Sequence, residues 1–355
     1  MIYIIQCIWV YLSALLCFGL KLKFQRNKNL YLFLTFLPCF LMMGLRNVTV
    51  GVDTHTYSLY YSYIASSSWH DILTGTASYG LELGWRIVYK LCSYLSDSYY
   101  LFQIFFSIIY CWLYAKFLKK TVPNIFIAVI LFLGVGLFTG AFNVQRQFLA
   151  AVILANGYLF FRDKKRMQAV LFFILAFLVH RTSFLFLAVL GVYQLRNSRW
   201  IIRLMPFAIF VIAYNYKYLI DIAKIYFPEY RNYYVNEKLI QTVSGVWIIW
   251  IIIIVLSAYT LYSRKIKSND FKVYCIFGLA YVVCNIVGLY FNYFERIGLY
   301  FMPFLPAFFY GFGEQIHNKG YKLTYSMGVV LSFTAYYLLG CFTGTALTYS
   351  TFIFK

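Results

Sequence analysis

The stretch Leu45–Tyr63, LRNVTVGVDTHTYSLYYSY, gathers Arg46, Gly51, Asp53, Thr54, His55 and Tyr57 within a dozen positions. An Asp close to an Arg is conspicuous in a chain with only 11 acidic residues against 31 basic ones. Two further arginines, Arg146 and Arg296, stand like Arg46 at the edge of an apolar run. Arginine carries a planar fork of donors that stays charged and matches phosphate oxygens in pairs. Arg46, Arg146 and Arg296 together could hold a pyrophosphate at the level of lipid head groups, while any one alone could be a snorkelling residue that binds lipid phosphate.

His180 interrupts a long apolar run in the sequence VHRTSF, followed directly by Arg181. A neutral imidazole there could take a proton from a sugar hydroxyl, or could be a core histidine satisfied by a backbone carbonyl. Asp53 is the alternative base, and it could equally be a turn-forming residue after Gly51. Tyr57 and its neighbours Tyr60, Tyr61, Tyr63 and Trp69 could stack on sugar rings, or belong to an interfacial aromatic belt that needs no ligand. Glu82 and Arg86, with Lys90, fall at i, i+4 and i+8 of a helix expected over residues 79–95, forming one charged stripe with favourable pairing order. Glu82, Arg86, Arg181 and Tyr57 therefore join the candidates for substrate binding.

What must position these residues follows from composition. The chain is 63% hydrophobic and 23% aromatic over 355 residues, too much apolar surface for a soluble core of this size. Spans of about 20 apolar residues cross a bilayer as helices, because lipid leaves backbone groups no other partner except in closed barrels. The apolar runs are continuous rather than alternating, so helices are expected. The expected fold is all-α: a polytopic transmembrane helical bundle, one integral membrane domain over 1–355, with about twelve crossings. A net charge of +20 sits mainly in short loops, where it reads as a topology signal and lipid contact rather than nucleic-acid binding.

The Lys/Arg loops orient the map. Lys21, Lys23, Arg26 and Lys28 follow the first run, which reads as a retained span rather than a signal peptide. Lys116, Lys119 and Lys120, then Arg162–Arg166, and later Arg264–Lys272 and Lys319 with Lys322, mark further inner loops. The outer loops are 46–97 and 221–244, with 79–95 as an outer interfacial helix. Pro123–Phe142 is expected as one outward span, and Gln147–Phe161 as the return. Residues 167–195 read best as a central broken hairpin of two short helices with His180 at the outer corner. That arrangement keeps Arg196, Arg199 and Arg203 inside. Pro303 and Pro306 are expected as kinks in a span over 297–312. Twenty of the 31 basic residues then lie inside, and the outer ones occur singly. An isolated arginine at depth costs about 2.5–3.5 kcal/mol on insertion scales, which makes such residues functional candidates.

Several chemistries are excluded. No HExxH, Walker loop or GxSxG elbow occurs. The spacing of His55, His70, Asp71 and Asp53 fits no familiar metal site, so neither a metal nor a cofactor is expected. The eight cysteines form no CxxC pair and read as small buried hydrophobes. No long soluble domain is present to bind a sugar nucleotide, so a lipid-linked sugar is the more plausible donor.

The motifs LRNVTVGVDTHTY, LELGW, NVQRQFLAAVI, VHRTSFLFL and FERIGLYFMPF, in this order, resemble the EpsG family, a branch of the Wzy-type bacterial polysaccharide polymerases. Val52 stands where a Thr is expected between Gly and Asp. The resemblance implies a repeat-unit polymerase for capsule, exopolysaccharide or O-antigen, multi-pass in the bacterial cytoplasmic membrane with an extracytoplasmic active face. The substrates it implies are undecaprenyl-pyrophosphate-linked oligosaccharides, with a chain-length regulator as a further partner. Arg146 and Arg296, with Arg46, would bind pyrophosphate, and His180 or Asp53 would activate the acceptor hydroxyl. An O-antigen ligase-like transferase shares these features. A flippase or transporter should show internal repeats and midplane charges, and neither is evident here. An O-acyltransferase would also use a membrane histidine.

Overall fold

The computed structural model describes residues 1–19, 27–194, 246–262, 269–289, 292–343 and 349–353, with isolated positions between 211 and 225. Among these residues the structure is helical, and the isolated bridge between Arg46 and Thr351 is its one strand-like pairing. Two compact units emerge: residues 1–181 with 318–355, and residues 182–317.

In the first unit, α1 (Ile2–Phe18) and α2 (Lys28–Gly44) are apolar helices that pack together. Pro38 lies inside α2 and cannot donate to the carbonyl one turn back. That carbonyl, on Leu34, accepts the Trp9 indole N–H at 2.8 Å instead. A neighbouring helix thus restores the bond that proline removes, as burial in lipid requires.

The segment after α2 folds as α3 (Thr54–Ser66), α4 (Trp69–Thr74) and α5 (Leu83–Ser93). The sequence anticipates a helix over 79–95; the structure opens 79–82 into a turn and starts the helix at Leu83. The charged stripe of α5 faces protein: Arg86 and Lys90 are buried, while Val88, Leu91 and Leu95 are exposed. Lys90 donates to the Ala65 and Ser67 carbonyls at 2.7 and 2.9 Å, placing its charge at the C-terminal end of α3.

Then come α6 (Tyr99–Thr121), α7 (Ile125–Gly134), the single turn α8 (Leu137–Gly140), α9 (Gln145–Arg162) and α10 (Arg166–Val179). The single span expected over Pro123–Phe142 is therefore interrupted, at Gly136, whose φ of +86 is left-handed.

Hydrogen bonds fix the directions of these helices. Gln103 on α6 donates to the Gly44 and Arg46 carbonyls, while Lys119 donates to Asn29, so α2 and α6 run antiparallel. Tyr99 bonds Gln145, and Asn156 bonds the Leu113 carbonyl, so α6 and α9 run parallel. A short turn at Asp163–Lys165 sends α10 back along α9. The chain's last helix (Lys319–Thr343) lies antiparallel to α1 through Tyr11–Thr334 and Gln6–Tyr337. Lys28, Lys119, Lys120, Arg162, Arg166 and Lys319 consequently collect at one end of this unit. Arg46, Tyr99, Gln145 and His180 collect at the other.

The second unit holds α11 (Leu185–Gln194), α12 (Val246–Tyr262), α13 (Asn269–Gly288), α14 (Asn292–Gly298) and α15 (Leu305–Glu314). Phe186 stacks against Phe301 and Phe304 at its centre. The expected span over 297–312 is divided: Pro303 lies in a 3-10 turn over Met302–Phe304, and Pro306 opens α15. Both prolines start helical segments rather than kink one, which suits a residue lacking an N–H. The chain then returns to the first unit with α16 (Lys319–Thr343).

Three helices are long and apolar enough to cross a membrane among the described residues: Tyr99–Thr121, Asp270–Gly288 and Lys319–Cys341. The apolar helices Ile2–Phe18, Lys28–Gly44, Ile125–Gly134, Arg166–Val179 and Trp247–Leu261 are shorter. All eight cysteines are free thiols. The expected outer loop 221–244 and the basic clusters at 21–26, 196–203 and 264–267 lie outside the described residues, apart from isolated positions.

Candidate functional site

The site is built around Glu82, the residue just before α5. At that position a short polar side chain usually folds back onto the helix N–H groups. Glu82 makes no such bond, because its longer side chain reaches away. One carboxylate oxygen, Oε1, faces His180 Nδ1 at 2.5 Å and accepts the Arg181 backbone N–H at 3.2 Å. The other, Oε2, accepts from Arg146 Nη1 at 2.6 Å. The three side chains keep 10% (Glu82), 15% (His180) and 19% (Arg146) of their surface exposed, so the cluster is lodged in the fold and still open to an incoming group.

Local structure explains the meeting. The helix break expected near His180 is present: α10 ends at Val179, His180 is extended (φ −155°, ψ 113°), and a 3-10 turn covers Arg181–Phe184. The extended residue turns its side chain off the helix toward α5. Gly84 allows the approach, because a Cβ at this position would stand 2.7 Å from the Leu178 carbonyl oxygen of α10. Arg146 is in the first turn of α9, where it also donates to the Gly80 carbonyl at 2.8 Å. Its guanidinium lies 5.9 Å from the centroid of the buried Tyr57 ring, within cation–π range.

Burial alone would push the Glu82 carboxyl up. The His180 hydrogen bond and the Arg146 charge outweigh it and bring it down to about 2, from an ordinary value of 4.5. Glu82 is therefore a carboxylate at neutral pH. A carboxylate only accepts, so Nδ1 is the protonated ring nitrogen of His180, and Nε2 is left for other chemistry.

Arg46 has a different station. It is fully buried and donates to the Met43 carbonyl at 3.0 Å, the Phe142 carbonyl at 3.3 Å and the Thr54 hydroxyl at 3.5 Å. Burial lowers its guanidinium pKa to about 10, which still leaves it charged at neutral pH. Thr54 bonds the same Phe142 carbonyl at 3.0 Å, and the Val52 N–H bonds Asn143 at 2.8 Å. Gly51, with φ +96, lies where any Cβ would meet the Phe142 carbonyl oxygen at 2.4 Å. This knot ties the loop after α2 to the segment that launches α9, and so sets where Arg146 begins.

The other expected residues are placed as follows. Asp53 precedes α3, half-buried, and its charge acts on the Tyr57 hydroxyl. Arg181 is exposed beside the cluster. Arg86 is buried against the Gly75 turn, and its Nε and Nη1 have no hydrogen-bond partner among the described residues. Arg296 belongs to the second unit, on α14, with an exposed side chain. Residues missed by sequence reasoning are Gly84, Gly80 and Asn143. The signal available for the first two was the pair of glycines in YGLELG.

The model of the EpsG family matches residues 29–353, a stretch that includes every member of the Glu82 cluster. The chain belongs to the EpsG family. No curated protein matches it, and no solved structure does. Membership of the EpsG family, with the apolar helices, makes this an integral membrane protein of polysaccharide biosynthesis, polymerase-like in its general activity.

Proposed function

We propose that the chain is a repeat-unit polysaccharide polymerase. It transfers the growing glycan from undecaprenyl pyrophosphate onto an incoming lipid-linked repeat unit, at the outer face of the bacterial cytoplasmic membrane. The observation that carries this reading is the meeting of His180 and Arg146 at the end of the first unit opposite the one that gathers Lys28, Lys119, Lys120, Arg162, Arg166 and Lys319. By the positive-inside rule the basic end faces the cytoplasm, which puts the cluster outside. The topology proposed here uses about twelve crossings.

The chemistry is inverting glycosyl transfer. The acceptor hydroxyl gives its proton to His180 Nε2 as its oxygen attacks the anomeric carbon. The bond from that carbon to the pyrophosphate oxygen breaks, and the electron pair leaves with undecaprenyl pyrophosphate. Arg146 stabilises the charge that develops there, and the exposed Arg181, next to His180 in the chain, is assigned the same role. Arg46 acts as a strut that positions Arg146. Arg296, in the family motif FERIG, is assigned to pyrophosphate on its sequence alone. His180 is preferred to Asp53 as base because a carboxylate orients it. No metal is needed for these steps.

The test is the glycan profile of cells carrying His180→Ala or Arg146→Ala. Single repeat units in place of long polymer, with normal amounts of membrane protein, are expected. Long polymer retained on the lipid carrier would indicate a ligase, and normal chain lengths in both variants would overturn the proposal.

A further inference from the structure

We infer that Glu82 is a positioning residue with two effects on the reaction: it fixes His180 as the base, and it weakens the hold of Arg146 on pyrophosphate. The inference rests on the polymerase reading. One carboxylate spans both groups, with Oε1 on His180 Nδ1 and Oε2 on Arg146 Nη1. Among the described residues, His180, Arg146 and the Arg181 N–H engage both carboxylate oxygens of Glu82 within the protein.

The first effect follows from the tautomer. With Nδ1–H held by a carboxylate, Nε2 carries the lone pair, and the positive charge that His180 gains on taking a proton is stabilised by its neighbour. The second follows from charge. Arg146 already has Nη1 shared between Glu82 and the Gly80 carbonyl, while its side chain keeps 19% of its surface exposed. Pyrophosphate can take the open side of the fork, but it does so beside a negative carboxylate. The leaving lipid pyrophosphate is more highly charged than the glycosylated donor. A site with uncompensated arginines would hold that product most tightly, and Glu82 counters this.

The variant Glu82→Gln keeps shape and removes the charge. Two measurements use the full chain: elongation of endogenous lipid-linked repeat units in membrane vesicles, and binding of inorganic pyrophosphate to protein in nanodiscs. E82Q is expected to slow elongation by about 100-fold or more, the scale of a general base, and to bind pyrophosphate several-fold more tightly. A merely structural role would weaken both. Glu82→Asp retains the charge and should recover part of the rate with an affinity near wild type. Pyrophosphate binding that is unchanged or weaker in E82Q, or elongation at the wild-type rate, overturns the inference. If H180A is inactive and E82Q elongates normally, this inference alone fails. If H180A itself elongates normally, the polymerase mechanism fails and the inference goes with it.

Discussion

Gly84 of α5 lies so close to Leu178 of α10 that a Cβ on the glycine would stand 2.7 Å from the leucine carbonyl oxygen and 2.9 Å from its Cβ. Real Cβ atoms do not approach so near, and a backbone carbonyl cannot swing aside as a side-chain tip can. Gly84→Ala should therefore push α5 off α10 and part Glu82 from His180. Polymer is expected to fall sharply while the protein still reaches the membrane. Gly328→Ala in α16, where nothing among the described residues lies within 4 Å, is the control. It should leave polymer unchanged and gain at most about 1 kcal/mol from helix propensity. Glycan profiles of the two variants, beside thermal melting in detergent, make the comparison.

Arg46→Ala should act through the fold. It takes donors from the Met43 and Phe142 carbonyls in a fully buried knot, at a cost of about 3 kcal/mol for charged hydrogen bonds. Lower melting temperature and lower protein level should accompany its loss of polymer. Arg146→Ala should lose polymer with the protein largely retained. Equal melting temperatures for Arg46→Ala and wild type would count against the strut.

Glu82 also makes a pH prediction. Its folded carboxyl is depressed to about 2 from an ordinary 4.5. The stabilisation it brings is full above 4.5 and is lost as pH falls through that interval toward 2. The melting temperature of wild type should exceed that of Glu82→Gln at pH 6–7, and the gap should narrow below about pH 4.5. A gap that stays constant down to pH 3 would show that the Glu82 charge contributes nothing.

Sidedness can be read by chemical labelling. Val52→Cys sits on the loop beside Thr54 and is 75% exposed, while Lys165→Cys lies exposed at the basic end of the same unit. A membrane-impermeant maleimide added to intact cells should label the first, and the second only after permeabilisation. The reverse pattern would put the Glu82 cluster in the cytoplasm.

Much of this was legible in the residues. Apolar runs and basic turns announced the helices, and the polar break at His180 announced the end of α10. The i, i+4, i+8 spacing put Glu82, Arg86 and Lys90 near one another, but not which way they faced. Helical periodicity cannot tell a solvated stripe from one buried against a neighbouring helix, and here Arg86 and Lys90 are buried. Nor can it bring Glu82 to Arg146 and His180, which are 64 and 98 positions away. That meeting depends on α9 and α10 running in opposite senses and on one small residue at Gly84. The interruption at Gly136 was hidden because the three glycines of this apolar run, Gly134, Gly136 and Gly140, are each compatible with a helix until their φ is known.

The central claim is that His180 and Arg146 perform glycan polymerisation. It is tested most directly by reconstituting the purified chain in liposomes with lipid-pyrophosphate-linked repeat units extracted from a strain lacking it, and resolving the products by length. Wild type should build a ladder of repeat units and release lipid pyrophosphate, while His180→Ala and Arg146→Ala should leave single units. A ladder of equal length and rate from either variant would contradict the account.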